Sequence, residues 1–296
     1  MTPTLYLSYE MAPKAAGHLR EWAEAELARA GVPSPGADAA ALTSYAYGWD
    51  VCEFAKHVRD VASAGVFERL ADITRRRGDG EPLQLIIGTA PFVGLSLAVA
   101  PGVFIPRPET EGLALWAEES IADTDAPVIV DLFAGVGPLA VYLARRRADA
   151  RVVAVEADES AVSLLRDNAS AYDVRVDVIV GDIRDEGIAS RLPAADLIVA
   201  NPPYVETAVI PTLPVEVRGW EPRAALDGGA DGLAFYPVIA ALAAKILKEG
   251  GVVAVEIAES CGEVVSDILS TVGDVEVSRD LAGRDRYVRA RKASGI

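Results

Sequence analysis

From residue 127 onward the chain repeats one pattern: a short apolar run, a glycine or polar turn, an amphipathic helix, and another apolar run. VIVDLF leads through AGVG into the helix PLAVYLARRR, and RVVAVE is followed by the helix ESAVSLLRDNASA. VDVIVGD and ADLIVANPPY are further strands, LAFYPVIAALAAKIL is a long helix, and Gly250-Gly251 opens the strand VVAVEIA. VEVSRD and RDRYVRARK read as a closing pair of strands. Strands that alternate with helices in this way must build a mostly parallel sheet covered on both faces. Ligands of such sheets bind beyond the carboxyl ends of the strands, where the strand order reverses.

The earlier part of the chain has a different texture, and residues 17–85 read as helices. HLREWAEAELARAG places Leu19, Trp22, Ala23 and Leu27 near one stripe and stops at Gly31. ADAAALTSYAYG ends at Gly48, and VFERLADITRRRGDG turns Val66, Leu70 and Ile73 to one face. Trp22, Trp49 and Tyr45 suit either a core or an exposed contact face. After Pro82, LQLIIG and LSLAVA are short apolar runs around the turn-forming TAPFVG, which predicts a β-hairpin. Pro108 suits a helix first turn, so ETEGLALWAEES should be helical. The expected organisation is a helical domain over 1–81, a hairpin linker over 82–105 and an α/β domain over 106–296.

Composition narrows the function. The first hundred residues carry 9 Lys/Arg and 12 Asp/Glu, a net of −3, and the remainder carries 19 and 32, a net of −13. So acidic a half repels a phosphate backbone, which argues against a nucleic acid substrate. Cys52 and Cys261 stand 209 positions apart, and neither they nor His18 and His57 have metal-ligand spacing, so no metal site or disulfide framework is expected. No apolar stretch long enough to span a membrane occurs, and MTPTLYLSYEMAPKAAG lacks the basic and apolar regions of a signal peptide. A cytoplasmic protein is the expectation.

Three places can carry chemistry. In Asp131-Leu132-Phe133-Ala134-Gly135-Val136-Gly137, glycines at a strand-to-helix turn let the backbone approach a ligand. Glu156 follows Gly137 by 19 residues at the end of a strand, where an acid can accept from both ribose hydroxyls of a nucleoside. Ala140 stands where a dinucleotide loop would have its third glycine, which favours a cofactor without a pyrophosphate. Asp182, at the end of VDVIVGD, can accept from an adenine amino group or simply cap a loop.

Asn201-Pro202-Pro203-Tyr204 is the sharpest of the three. Two prolines fix the backbone and remove two donors, so the Pro202 carbonyl is held rigidly beside the Asn201 side chain. Two neighbouring acceptors suit an NH₂ group on a planar carbon, and Tyr204 can stack on that plane. Holding both hydrogens would aim the nitrogen at an electrophilic carbon and stabilise its developing positive charge.

With these residues, the chain resembles the release factor glutamine N5-methyltransferases, the PrmC or HemK group, from about Leu19 to Arg291. The likeness rests on PRPETE, NPPY, the EPRAALDGGADGL segment and the closing AGRDRYV, in order and spacing. It implies a class I, Rossmann-like methyltransferase sheet, a helical N-terminal domain that grips a protein, and S-adenosyl-L-methionine as methyl donor. The substrate it implies is the glutamine of a peptide chain release factor's Gly-Gly-Gln motif. It also implies cofactor contacts from Phe133 to Gly137, Glu156 and Ile183, with Arg107, Glu109 and Thr110 at the methionine end. Asn201 through Tyr204 would hold the glutamine amide, and Pro211 with Glu216 to Pro222 would form a flap.

Phe133, Ala134 and Val136 replace a glycine and two hydroxyl residues usual in that family, and the loop is closer to those of some RNA methyltransferases. Leu85 likewise stands where an aromatic or His is more common. The same two acceptors would serve a small amide or guanidine such as free arginine, and an RNA base methyltransferase is a third reading.

Overall fold

The computed structural model describes residues 15–49, 53–280 and 283–293. Cys52, the first fourteen residues and Ala282 of AGRDRYV therefore lie outside the described residues. The chain divides into two compact units between Ile87 and Gly88.

The first unit contains the helices α1 (Ala16–Arg29), α2 (Pro35–Tyr47), α3 (Phe54–His57), α4 (Ala64–Gly78) and α5 (Leu83–Ile87). Leu19, Ala23 and Leu27 of α1 pack with Leu42 of α2 and with Leu70 and Ile73 of α4. Trp22 and Val66 pack on this core from its margin, whereas Tyr45 is 40% exposed. Trp49 is stacked between Tyr47 at 4.0 Å and His57 at 4.6 Å.

The hairpin is displaced from its expected place. LQLII forms the single helical turn α5, in which the Pro82 carbonyl accepts from the Leu85 and Ile86 amides. The strands are β1 (Thr89–Phe92) and β2 (Leu95–Ala98), which begin the second unit. Five residues, four of them apolar, between a proline and a glycine bury one face equally well as a turn of helix, so periodicity does not separate the two. Val93 and Gly94 make the tight turn at φ 41° and 75°, the conformation that matches strand twist. The Glu111 carboxylate accepts from the Val93 amide at 3.1 Å and steadies it.

The rest of the second unit runs α6 (Glu109–Ser120), β3 (Val128–Leu132), α7 (Pro138–Arg146), β4 (Arg151–Glu156), α8 (Glu159–Ala171) and β5 (Val176–Val180). It continues through α9 (Ile188–Arg191), β6 (Ala195–Ala200), α10 (Val215–Arg218), α11 (Tyr236–Ile246), β7 (Leu247–Glu256), α12 (Gly262–Leu269), β8 (Gly273–Arg279) and β9 (Asp285–Lys292). The sheet order is β5-β4-β3-β6-β7-β9-β8, with the first five strands parallel and the last two antiparallel.

Alternation along each strand sends side chains to two cores. Val130, Leu132, Ile198, Ala200, Val253 and Val255 meet α11 and α12 on one face. Ile129, Leu197, Val199, Val252 and Ala254 meet α6 and α7 on the other. This is the Rossmann-like α/β architecture expected of the motif order.

Candidate active site

The chain leaves β3 toward β4 and β5 on one side and returns to β6 and β7 on the other, so the order reverses between β3 and β6. Leu132 lies beside Ala200 in register. The glycine loop and Asn201-Pro202-Pro203-Tyr204 therefore emerge side by side at the carboxyl edge. A cavity of about 300 Å³ opens there, lined by Phe133, Gly135, Glu156, Asp182, Ile183, Asn201 through Tyr204, Arg107 and Phe235. A smaller recess against it is lined by Arg107, Thr110, Asp131, Ala134, Val136 and Asn201.

The two loop glycines do different things. A Cβ on Gly135 would meet no protein atom within 4 Å, and its amide donates to Glu156 at 2.7 Å. A Cβ on Gly137 would lie 2.9 Å from Leu165, so that glycine serves helix packing and lines neither space. Phe133, in the position of the family glycine, takes φ 62° and sets its ring edge-on to Phe235 at 5.0 Å. Asp131 accepts from the Ala140 amide at 3.0 Å through one oxygen, and its other oxygen is buried with no partner. Burial drives its pKa well above the carboxylate range, the Ala140 bond opposes this, and the Glu156 charge adds to it.

Glu156 is oriented by three backbone donors, Gly135 at 2.7 Å and Ala157 and Asp158 at 2.8 Å. Of the two readings of Asp182, the structure displays the cap: it accepts from the Arg184 amide at 2.8 Å, and both its oxygens hold the Arg184 guanidinium, at 2.5 to 3.1 Å, at the cavity wall. A cation two residues on in the same exposed turn pairs with it at little cost, and that hydrogen bond lowers the Asp182 pKa. Arg184 in turn lies over the Phe235 ring, 5.0 Å from its centre.

Asn201 donates its Nδ2 to the Thr110 hydroxyl at 3.0 Å, and Thr110 donates to Glu256 at 2.6 Å. Tyr204 donates its hydroxyl to the other Glu256 oxygen at 3.1 Å. Burial, then the Glu256 charge, raises the Tyr204 pKa and keeps its phenol protonated. Among the described residues, no protein donor reaches the Asn201 Oδ1 or the Pro202 carbonyl.

The segment after the tyrosine is buttressed by the glycines of GGADGL. A Cβ on Gly228 would come within 2.8 Å of the Pro203 carbonyl, and one on Gly232 within 2.5 Å of the Tyr204 carbonyl. Bare backbone is what allows Val205 and Gly228 to exchange hydrogen bonds with this loop, Val205 N–H to Leu226 at 2.9 Å and Gly228 N–H to Val205 at 2.8 Å.

PRPETE contributes unevenly. Arg107 and Thr110 reach the cavities, whereas Glu109 lines neither; it opens α6, and its carbonyl accepts from the Tyr287 hydroxyl. Gly112 makes room for that tyrosine, whose hydroxyl a Cβ would strike. Arg107 pairs with Glu221 at 2.5 Å, and Val217 and Pro222 of the flap line the cavity while Pro211 does not. Sequence reasoning missed Glu256, Phe235 and Arg184, and held Glu221 only as one residue of the flap, because what distinguishes each is a partner distant in sequence or an enclosed position.

Residues 18–88 match the family described as PrmC N-terminal domain, and residues 95–213 match the methyltransferase small domain. The release factor glutamine methyltransferase of Corynebacterium glutamicum is 40% identical, over 91% of this chain and 96% of that protein. The human MTRF1L release factor glutamine methyltransferase is 36% identical, over 76% of this chain and 71% of that protein. Among solved structures, the Thermus thermophilus 16S rRNA N2 G1207 methyltransferase matches with a TM-score of 0.49 at 22% identity, over 69% of this chain and 49% of that one.

Proposed function

The chain belongs to the release factor glutamine methyltransferase family, and from that premise we propose that it transfers the methyl group of S-adenosylmethionine to the glutamine side-chain nitrogen of a release factor's Gly-Gly-Gln motif. The observation that carries this reading is the pair of acceptors, Asn201 Oδ1 and the Pro202 carbonyl, left without donors among the described residues and set in the cavity wall.

The residues present fit the cofactor. The unpartnered Asp131 oxygen can accept from a cationic amine, Gly135 leaves its backbone open, and Glu156 is pre-oriented toward a diol. We assign Phe133 to Val136 and Glu156 to the nucleoside, Ile183 and Phe235 to the base, and Arg107, Thr110 and Asp131 to the methionine end, with Gly137 packing the helix behind them. When bound, S-adenosylmethionine supplies an electron-poor methyl carbon.

An amide nitrogen is a poor nucleophile because its lone pair is delocalised into the carbonyl. Asn201 and Pro202 would hold its two hydrogens, turn the lone pair toward the reacting carbon, and stabilise the charge that grows on nitrogen. The buried prolines keep water from competing for the same hydrogens. The helical unit is assigned to gripping the protein that presents the glutamine.

Incubation with labelled cofactor and a purified release factor should label the factor, and Gln→Ala in its Gly-Gly-Gln motif should abolish labelling. Transfer to free arginine or another small amide, with none to the factor, would reject the reading.

A further inference from the structure

Glu256 ends β7 with none of its surface exposed, and its carboxylate takes hydrogen bonds from both Thr110 and Tyr204. An acid so placed costs folding free energy, since burial disfavours its charge. Burial raises its pKa, and the Thr110 and Tyr204 hydrogen bonds and the Arg286 charge work against the rise. A glutamine of nearly equal shape would avoid the charge, so the question is what a carboxylate does here that an amide does not.

The answer lies in hydrogen-bond direction. An ionised carboxylate only accepts. Thr110 must therefore spend its one hydroxyl proton on Glu256, at 2.6 Å. Its oxygen then has only lone pairs to offer Asn201, 3.0 Å away. Only the NH₂ end of the Asn201 amide can satisfy that oxygen, so the carbonyl end is the one left free. An asparagine side chain is nearly symmetric in shape, and without such a constraint its two ends exchange by a half-turn about the last bond. The wrong end would present two N–H donors to a substrate that itself arrives with N–H donors.

We infer that Glu256 is a positioning residue that, through the Thr110 hydroxyl, fixes which end of the Asn201 amide meets the substrate, and through the Tyr204 hydroxyl holds the other end of the same motif. This rests on the reading of Asn201 as the acceptor of the substrate's NH₂. The three side chains come from α6, the turn after β6 and the end of β7, so the relay spans 146 positions of sequence. Arg286 of the closing RDRYV motif supplies a positive charge that favours the ionised carboxylate, which gives that motif a part in the same assembly.

Glu256→Gln offers one acceptor and one donor in place of two acceptors, so both polarities of the relay become open. Thr110→Val keeps the shape and deletes the relay, whereas Thr110→Ser keeps the hydroxyl. The first readout needs neither cofactor nor substrate: the ¹⁵N side-chain amide resonance of Asn201, assigned by its loss in Asn201→Ala. It should move in Glu256→Gln, which does not touch Asn201, and in Thr110→Val, and stay near its wild-type position in Thr110→Ser.

In turnover with a release factor, Glu256→Gln and Thr110→Val should each lower kcat by roughly tenfold to a hundredfold, the range for losing a hydrogen bond to a charged group. The affinity for S-adenosylhomocysteine should hold within a few-fold in Glu256→Gln, which lines neither cavity, and the double variant should lose less than the two single losses combined, since only the Tyr204 branch remains once Thr110 is gone. An unmoved Asn201 resonance in Glu256→Gln, or additive losses in the double variant, would overturn the inference. Absence of methyl transfer to the factor by the wild type would instead reject the proposed function, while the resonance would still test the relay.

Discussion

Arg107 donates to one oxygen of Glu221 at 2.5 Å, while the other oxygen of that carboxylate is buried without a partner. The pair joins the PRPETE turn to the flap that lines the cavity, and it is one hydrogen bond short. Burial pushes the Glu221 pKa up to about 7, against the pull of Arg107.

A pKa higher in the folded chain than in the unfolded one means that the folded state holds the proton longer. The stability this contributes is complete below the unfolded value of 4.5 and is lost as pH rises to about 7. Glu221→Gln should remove that part of the pH dependence. The urea unfolding free energy should fall less between pH 5 and pH 8 than in the wild type, by about 2–3 kcal/mol. Equal slopes for the two proteins would exclude a buried, unsatisfied carboxyl at this position.

Gly135 and Gly137 should part company on substitution. Alanine at Gly135 meets no protein atom, and its φ of 54° costs about 1 kcal/mol. Gly135→Ala should therefore fold with little loss, yet bind S-adenosylhomocysteine at least tenfold more weakly in calorimetry. Gly137→Ala drives a methyl into Leu165 at φ 89° and should lose roughly 2 kcal/mol or more of stability. A stable, fully binding Gly135→Ala would remove the loop from the cofactor assignment.

The contrast between these glycines shows what local sequence can carry. Asn201-Pro202-Pro203-Tyr204 is legible because proline acts on its own backbone, and the central strands are legible because each is a near-continuous apolar run of five or six residues bounded by turn signals. The same reasoning placed the hairpin one segment early, since LQLII between Pro82 and Gly88 is too short to show a period. Glu256 was invisible for a different reason. Within VVAVEIA it reads as a polar break at the end of a strand, and its meaning comes from Thr110 and Tyr204, 146 and 52 positions away. Asp182 was read either as an adenine acceptor or as a loop cap, and the claim of Arg184 on it went unseen because it depends on how the turn folds.

Asp131 offers a trade between stability and binding. Its unpartnered oxygen is buried and its pKa is driven well up, so keeping it charged disfavours folding at neutral and alkaline pH. The raised value places the penalty above the usual carboxylate range and not below it. Asp131→Asn should raise the melting temperature at pH 8 and change it little at pH 5. The same change should weaken S-adenosylhomocysteine binding by about tenfold, through loss of a charged acceptor. A variant that gains stability and keeps full affinity would show that the acid does not touch the ligand.

Asn201 gives the most direct test of how the substrate is held. Asn201→Ala removes one of two acceptors that act on a charge developing in the transition state, so kcat should fall by roughly a factor of 10² or more. The loss should appear in kcat rather than in the KM for the release factor, because the same contact is weaker to the neutral amide. Asn201→Asp is the sharper variant. It keeps an acceptor toward the cavity, but its other oxygen would face a Thr110 hydroxyl whose only proton is given to Glu256. Two sets of lone pairs would then oppose each other at about the 3.0 Å now spanned by an N–H. Asn201→Asp should therefore lose activity about as severely as the alanine variant. Near-normal turnover in it would mean that an acceptor at this position suffices and that the direction of the Asn201 amide does not matter.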